Sequence, residues 1–244
     1  VGKSFLVDVL DGVSKIMNAG QQLRMALYGV AAINIDGTSM HALMDIPIEF
    51  NKSNQQKIKP WNEDKLRNFK RLYDLDRISV IVVDEISTVK PFVLGYLNAR
   101  LQEACCSDKP FGGKAIIMLG DFDQLPPAGG CTIPEVAMQI EREKYFKCGG
   151  LRRLAFGKKE YEITSVVSQG VEQFTRATLI NLTEQHRSED QEHTELLNRM
   201  RAGDSIGPED LKNYKILCKE DKDFEFATKL TPGNREKHEF NKIQ

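Results

Sequence analysis

The sequence predicts an α/β fold, a parallel sheet with helices on both faces. Two apolar runs and the spacing between them carry that prediction. "ISVIVV" (78–83) and "KAIIML" (114–119) are apolar on both faces, as strands covered on both sides are. Between and around them lie stretches with apolar residues at helical spacing, and strands alternating with helices imply parallel pairing. In such sheets ligands bind at the carboxyl ends of the strands, which is where Asp84, Glu85 and Asp121 fall.

Taken in order, "SFLVDVLDGVSKIMNAG" has apolar residues at 5, 6, 9, 10, 13, 16 and 17 and stops at Gly20, so it reads as a helix. "LRMALYGVAAI" (23–33) holds a strand and then a turn of small residues. "NEDKLRNFKRLY" (62–73) places Leu66, Phe69 and Leu72 on one helical face. "VLGYLNARLQEA" (93–104) is helical. "ATLINL" (177–182) reads as a strand, and "SEDQ" (188–191) matches a capping box for a helix that runs to Arg201 and stops at Gly203. "FEFATKL" (224–230) reads as a last strand, with a helix starting near Asn234. "EREKYFKCGGLRRLAFGKKE" (141–160), with seven basic residues, breaks the rhythm. It reads as a solvated insertion or as a loop along a nucleic-acid backbone. Trp61 lies in the polar stretch "NKSNQQKIKPWNED" and reads as a surface anchor.

The 244 residues are 41% hydrophobic, enough for one large or two small domains. We expect two lobes, residues 1–175 and 176–244. Basic and acidic residues number 34 and 35, so any contact with nucleic acid comes from a local groove and not from net charge. No apolar run approaches the roughly 20 residues of a membrane helix, and no membrane partner is expected. The five cysteines form no C-x-x-C pair, which argues against zinc and fits a reducing, intracellular compartment; Cys105 and Cys106 read as packing residues. The chain begins without Met and inside a motif, so it is expected to be a piece of a longer protein.

That motif is "VGKS" (1–4), the last half of a phosphate-binding loop, G-x-x-x-x-G-K-[ST]. Gly2 lets backbone N–H groups close on phosphate, Lys3 reaches the β- and γ-phosphates, and the Ser4 hydroxyl binds Mg²⁺. The helix that follows points its positive end at the anion. "VIVVDE" (80–85) supplies the partner: Asp84 holds Mg²⁺ through water, and Glu85 orients and deprotonates the attacking water. The bland alternative is a turn in which Asp84 caps a helix. "LGDFDQLPP" (119–127) is the third piece. Gln124 can donate to a γ-phosphate, and the prolines stiffen a loop that carries the difference between ATP and ADP to a neighbouring groove. Together the three predict a P-loop NTPase.

"KPFGGKAIIMLGDFDQLPP", "VIVVDEIS" and "GVAAINIDGTSMHAL" resemble the petite-integration-frequency (PIF) DNA helicases, relatives of RecD in helicase superfamily 1. The resemblance implies tandem RecA-like lobes, the second only partly present, and a motor moving 5′ to 3′ on single-stranded DNA. Gly2, Lys3 and Ser4 match the family's phosphate loop, Asp84 and Glu85 its acid pair, and Gln124 its third motif. Gly37, Ser39 and His41 fall on a Gly-x-Thr-x-His pattern that touches single-stranded DNA. Ser39 keeps the hydroxyl, and His41 either contacts DNA or supports its loop. Tyr28 stands where the family usually has Thr, and its ring can stack on a base. Arg187 in "LTEQHRSEDQEHTELLNRMRAG" matches the arginine that acts as a finger on the γ-phosphate, and "TPGNREKHEFN" (231–241) resembles the next unit of the second lobe. The motifs that complete that lobe and its β-barrel insertion are not in the chain.

The expected function is therefore ATP-dependent DNA unwinding driven by Mg-ATP, by a monomer acting on single strands and duplex junctions. Genome maintenance (repair, recombination, telomere maintenance) and transposition both fit. The family resemblance implies the nucleus, with the mitochondrion as the other compartment. A fragment that binds nucleotide or DNA without unwinding, and another P-loop ATPase, are the alternatives. A DEAD-type RNA helicase fits poorly, because Ile86 and Ser87 follow the acid pair.

Overall fold

The computed structural model describes residues 2–47, 58–149, 163–183, 188–212 and 214, with 144–149 described in their backbone alone. The chain divides into two compact units, Val1–Arg187 and Ser188–Gln244. The expected strand 224–230, the helix from Asn234, the stretch 231–241 and Arg187 lie outside the described residues.

The first unit is built on a four-stranded sheet in the order β2–β1–β3–β4, every pairing parallel. Its strands are β1 (Gln21–Ala26), β2 (Thr38–Ser39), β3 (Ile78–Asp84) and β4 (Ala115–Met118). β3 sorts its side chains by parity. Ile81 and Val83 enter the large core with Met25, Leu94 and Leu97, while Val82 meets Val7 and Leu119 on the other face. Val7 belongs to helix α1 (Lys3–Ile16), so α1 covers one face. The opposite face packs against α3 (Met40–Met44), α4 (Glu63–Leu72) and α5 (Pro91–Cys105). The doubly covered parallel sheet expected from the two-sided apolar runs is present.

α5 is buried nearly all round, as a helix apolar on every side must be. It crosses α7 (Ser165–Arg176) through glycine. A Cβ on Gly95 would lie 2.1 Å from the Val166 carbonyl oxygen, and one on Gly170 2.5 Å from the Gly95 nitrogen. Neither α7 nor the helix before it, α6 (Ile133–Gly149), was anticipated from the sequence. The turn after β1 is itself helical, α2 (Gly29–Ile33).

Several expectations need correction. Trp61 is buried: its ring lies 4.9 Å from Phe69, and the Arg100 guanidinium sits 4.8 Å from its centroid. The polar neighbours of Trp61 in sequence hid this, because its packing partners come from α4 and α5. Leu72 is exposed, and Tyr73 packs on the core in its place, because the helix ends at Leu72 and the chain turns. Residues 141–149 extend α6 and are not a loop; 150–160 lie outside the described residues. Residues 177–182 form no strand, with Leu179 and Ile180 exposed, since a strand needs a neighbour and none pairs with them among the described residues. In the second unit the helix α8 (Gln191–Ala202) is capped by Asp190, which accepts from the His193 N–H at 2.9 Å, and not by Ser188. Gly203 ends α8 at φ 82°, as expected.

Candidate functional site

β3 carries Asp84 to its carboxyl end, buried, with Oδ1 accepting the Glu85 N–H at 2.8 Å. Glu85 then takes a left-handed backbone, φ 52° and ψ 44°, which a non-glycine residue adopts only when its surroundings impose it. The surroundings are explicit. Both the N–H and the hydroxyl of Thr88 donate to the Glu85 carbonyl, at 3.0 and 2.8 Å. Ile86 N–H donates to Leu119 O at 2.8 Å, and Leu119 N–H to Val83 O at 2.8 Å. Gly120 permits this close approach, since a Cβ there would sit 2.6 Å from Ile86 Cγ2.

Gly2 sits at the N-cap of α1 with φ 116°, a conformation that only glycine takes without strain. Its carbonyl accepts the Leu6 N–H at 2.9 Å, which starts the helix. The first turn carries no acid, so the positive end of α1 is uncompensated by its own side chains. Contact of Val7 with Val82 and Leu119 sets this helix end over the end of β3. Lys3 Nζ lies 3.8 Å from Glu85 Oε1. Among the described residues no three His, Cys, Asp or Glu side chains gather as a metal site. The Ser4 hydroxyl and the Asp84 carboxylate are hard oxygen donors of the kind Mg²⁺ takes alongside phosphate oxygens and water, so the residues present fit that ion.

β4 leads through Leu119 into the loop that holds Gln124. The Gln124 amide donates to Asp121 Oδ2 at 3.3 Å, and its N–H to Asp121 O at 3.1 Å. Phe122 meets Phe174 of α7 edge-on at 5.7 Å, which ties this loop to the helix layer.

A second cluster forms at the ends of β1 and β2. Gly37 is required there because a Cβ would lie 2.6 Å from the Arg24 carbonyl oxygen of β1. Ser39 caps α3, its Oγ accepting the Ala42 N–H at 3.4 Å. His41 Nδ1 is 2.9 Å from the Ile46 carbonyl, which can only accept, so Nδ1 carries the proton and supports the loop. A cavity of about 340 Å³ opens here, lined by Tyr28, Ser39, His41, Thr88, Lys90 and Ala128 among others. Arg24 joins the two clusters, bonding Asp8 of α1 at 3.0 Å and the Ile35 carbonyl at 3.2 Å.

The structure thus brings Gly2, Lys3 and Ser4 to the Asp84–Glu85 turn, and Gly37, Ser39 and His41 to one neighbouring edge. Gln124 is held within its own loop. Sequence reasoning missed Thr88 and Lys90, although both follow the acid pair closely enough to share its strand end.

The PIF1-like helicase family model matches residues 1–210. The chain belongs to that family. It is 32% identical over 128 residues to the ATP-dependent DNA helicase RRM3 of Saccharomyces cerevisiae, a match covering 52% of this chain and 17% of that protein. The ATP-dependent DNA helicase PIF1 of Emericella nidulans is 29% identical over 191 residues, 78% of this chain and 21% of that protein. Among solved structures, Bacteroides Pif1 bound to ssDNA superposes with a TM-score of 0.58 at 25% identity, over 86% of this chain and 42% of that one. Bacteroides Pif1 in complex with ADP-AlF3 and ssDNA gives 0.52 at 26%, over 82% and 42%. The matched segment therefore spans about a fifth or less of those curated PIF1-like relatives and under half of the solved chains. The sheet and its helices are the RecA-like P-loop NTPase fold of these helicases.

Proposed function

We propose that this chain is the nucleotide-binding part of an ATP-dependent DNA helicase. The observation that carries the reading is the approach of Lys3 Nζ to Glu85 Oε1 at 3.8 Å beside buried Asp84. Residues far apart in sequence meet at one strand end, beside a helix start free of acids. In this reading the α1 N–H groups and Lys3 bind the triphosphate. Ser4 and Asp84 would hold Mg²⁺, which supplies charge neutralisation on the phosphate oxygens. Glu85 orients and deprotonates the attacking water, Gln124 donates to the γ-phosphate, and Arg187 supplies the arginine finger. The rigid turn at Glu85 suits a base whose oxygen must lie within hydrogen-bond reach of one water.

Gly37, Ser39 and His41 form the edge that touches single-stranded DNA. The solved Bacteroides relative with both ADP-AlF3 and ssDNA supports a shared nucleotide and DNA machine. By resemblance the motor runs 5′ to 3′, with residues 1–175 as first lobe and 176–244 as the start of the second. Repair, recombination, telomere maintenance or transposition would use it, in the nucleus or the mitochondrion, as a monomer on single strands and junctions. In another solved relative, two coordinating Pif1 helicases unwind forked dsDNA, so action in pairs is the alternative to the monomer.

The test is ATP hydrolysis by the full-length protein with and without a single-stranded oligonucleotide. DNA-stimulated turnover that Glu85→Gln removes supports the motor. Turnover indifferent to DNA would leave a P-loop ATPase of another kind, and no turnover a nucleotide- or DNA-binding module.

A further inference from the structure

The cavity beyond the ends of the four strands is lined by a cation that no motif assigns, Lys90. We propose that Lys90 is a backbone-phosphate contact and that, with Tyr28, it forms a single-nucleotide subsite for the DNA strand. This deepens the DNA-binding reading above and rests on it.

Four observations converge on the subsite. The cavity, about 340 Å³, falls in the size range of small-ligand pockets. Its lining comes from four strand exits: Tyr28 after β1, Ser39 and His41 at β2, Thr88 and Lys90 after β3, and Ala128 after β4. Tyr28 is about half exposed, which leaves a ring face for a base to stack on. The Lys90 ammonium has no hydrogen bond or ion pair among the described residues, while its stem runs beside Gly130, where a Cβ would lie 3.4 Å from Cε.

Lys90 is the N-cap of the 15-residue helix α5, whose first turn holds no acid. A lysine at the positive end of a helix is electrostatically unfavourable on its own, and that end together with the ammonium attracts an anion. A phosphate in the cavity would meet both. His41 adds specificity of a different kind. With Nδ1 committed to Ile46, only Nε2 remains for a ligand.

The measurement is anisotropy of a fluorescein-labelled dT oligonucleotide with the full-length protein across a salt series. Lys90→Gln should weaken binding severalfold and reduce the slope of log K against log salt by about 0.7, one phosphate contact on a single strand. Lys90→Arg should restore the slope, and thermal melting checks that both variants fold. Tyr28→Leu should weaken binding by about fivefold or more at every salt concentration with the slope kept, and Tyr28→Phe should not. If the unsubstituted protein binds and Lys90→Gln keeps its slope, the subsite is overturned while the DNA-binding reading stands. If the unsubstituted protein does not bind the oligonucleotide, the reading beneath it falls as well.

Discussion

The two clusters at the carboxyl edge of the sheet are held in opposite ways. The Asp84–Glu85 turn is fixed by backbone bonds to Leu119 and Thr88, with Gly120 leaving no room for a side chain. The edge around Tyr28 and Lys90 is open, with an exposed ring and, among the described residues, an unpaired ammonium over a cavity. The contrast suits the roles proposed for each. A base acting on one water needs its oxygen placed to within fractions of an ångström. A surface for a polymer that slides needs contacts that are made and released, and stacking and phosphate pairing supply these for any sequence.

Breaking the fixed end should have the largest effect. Glu85→Gln keeps the shape of the side chain and removes the proposed base, so turnover of the full-length protein should fall about 100-fold or more. ATP binding, read with a fluorescent analogue, should persist. Lys3→Ala should abolish turnover and weaken binding too, since an ammonium that reaches phosphate acts in ground and transition states alike. Ordinary turnover in either variant would remove the nucleotide reading of this end.

Gly120→Ala comes next. The added methyl meets Ile86 Cγ2 at 2.6 Å in a loop that cannot retreat without losing the bonds at Leu119. Overpacking of this kind costs about 1–3 kcal/mol, read as a lower urea midpoint. Turnover should fall with it, although residue 120 touches no substrate. A full-stability, full-activity Gly120→Ala would show that the turn is looser than its bonds imply.

Legibility from sequence divides along the same line. The fixed end was readable because its parts are local: a two-sided apolar run, an acid pair at its end, and Gly-Lys-Ser before an amphipathic helix. The doubly covered parallel sheet was readable for the same reason. What stayed hidden depends on distant partners. Trp61 reads as a surface residue until Phe69 and Arg100 are placed on either side of it. The helix at 165–176 owes its place to Gly95 and Gly170, whose contact no periodicity reveals. The run 177–182 has strand composition, but composition provides no pairing partner. Lys90 carries no pattern at all and gains meaning only when Tyr28 and Ala128 are seen across the cavity.

At the open end, loss of binding should come without loss of fold. Tyr28→Leu and Lys90→Gln remove groups that hold nothing else together among the described residues. Stability read from the urea midpoints should therefore change by no more than about 0.5 kcal/mol, the usual range for positions outside the core. A larger shift would mean that the edge is part of the frame, and the contrast with Glu85 would weaken.

The smallest expected effect lies in the second unit, where a charge pair adds to the backbone bonds of a turn. Arg199 of α8 pairs with Asp210, which also accepts the Gly207 N–H at 2.8 Å. The side-chain bond to Arg199 is the main reason that the Asp210 carboxyl is held below its ordinary 3.8, with the Gly207 bond second. A carboxyl lowered in the folded state binds its proton more readily when unfolded. Its contribution is therefore complete above about pH 4 and is lost as pH falls below 3.8 through the folded value. Both side chains stay in reach of water, Arg199 39% and Asp210 21% exposed, and solvent screening keeps the contribution small. Asp210→Asn should flatten the acid limb of this unit's helix melting, followed by circular dichroism, and leave the neutral-pH melt nearly unchanged. An acid limb identical in Asp210→Asn would mean that the Gly207–Leu211 turn stands without its charge pair, held by its backbone as the turn at Glu85 is.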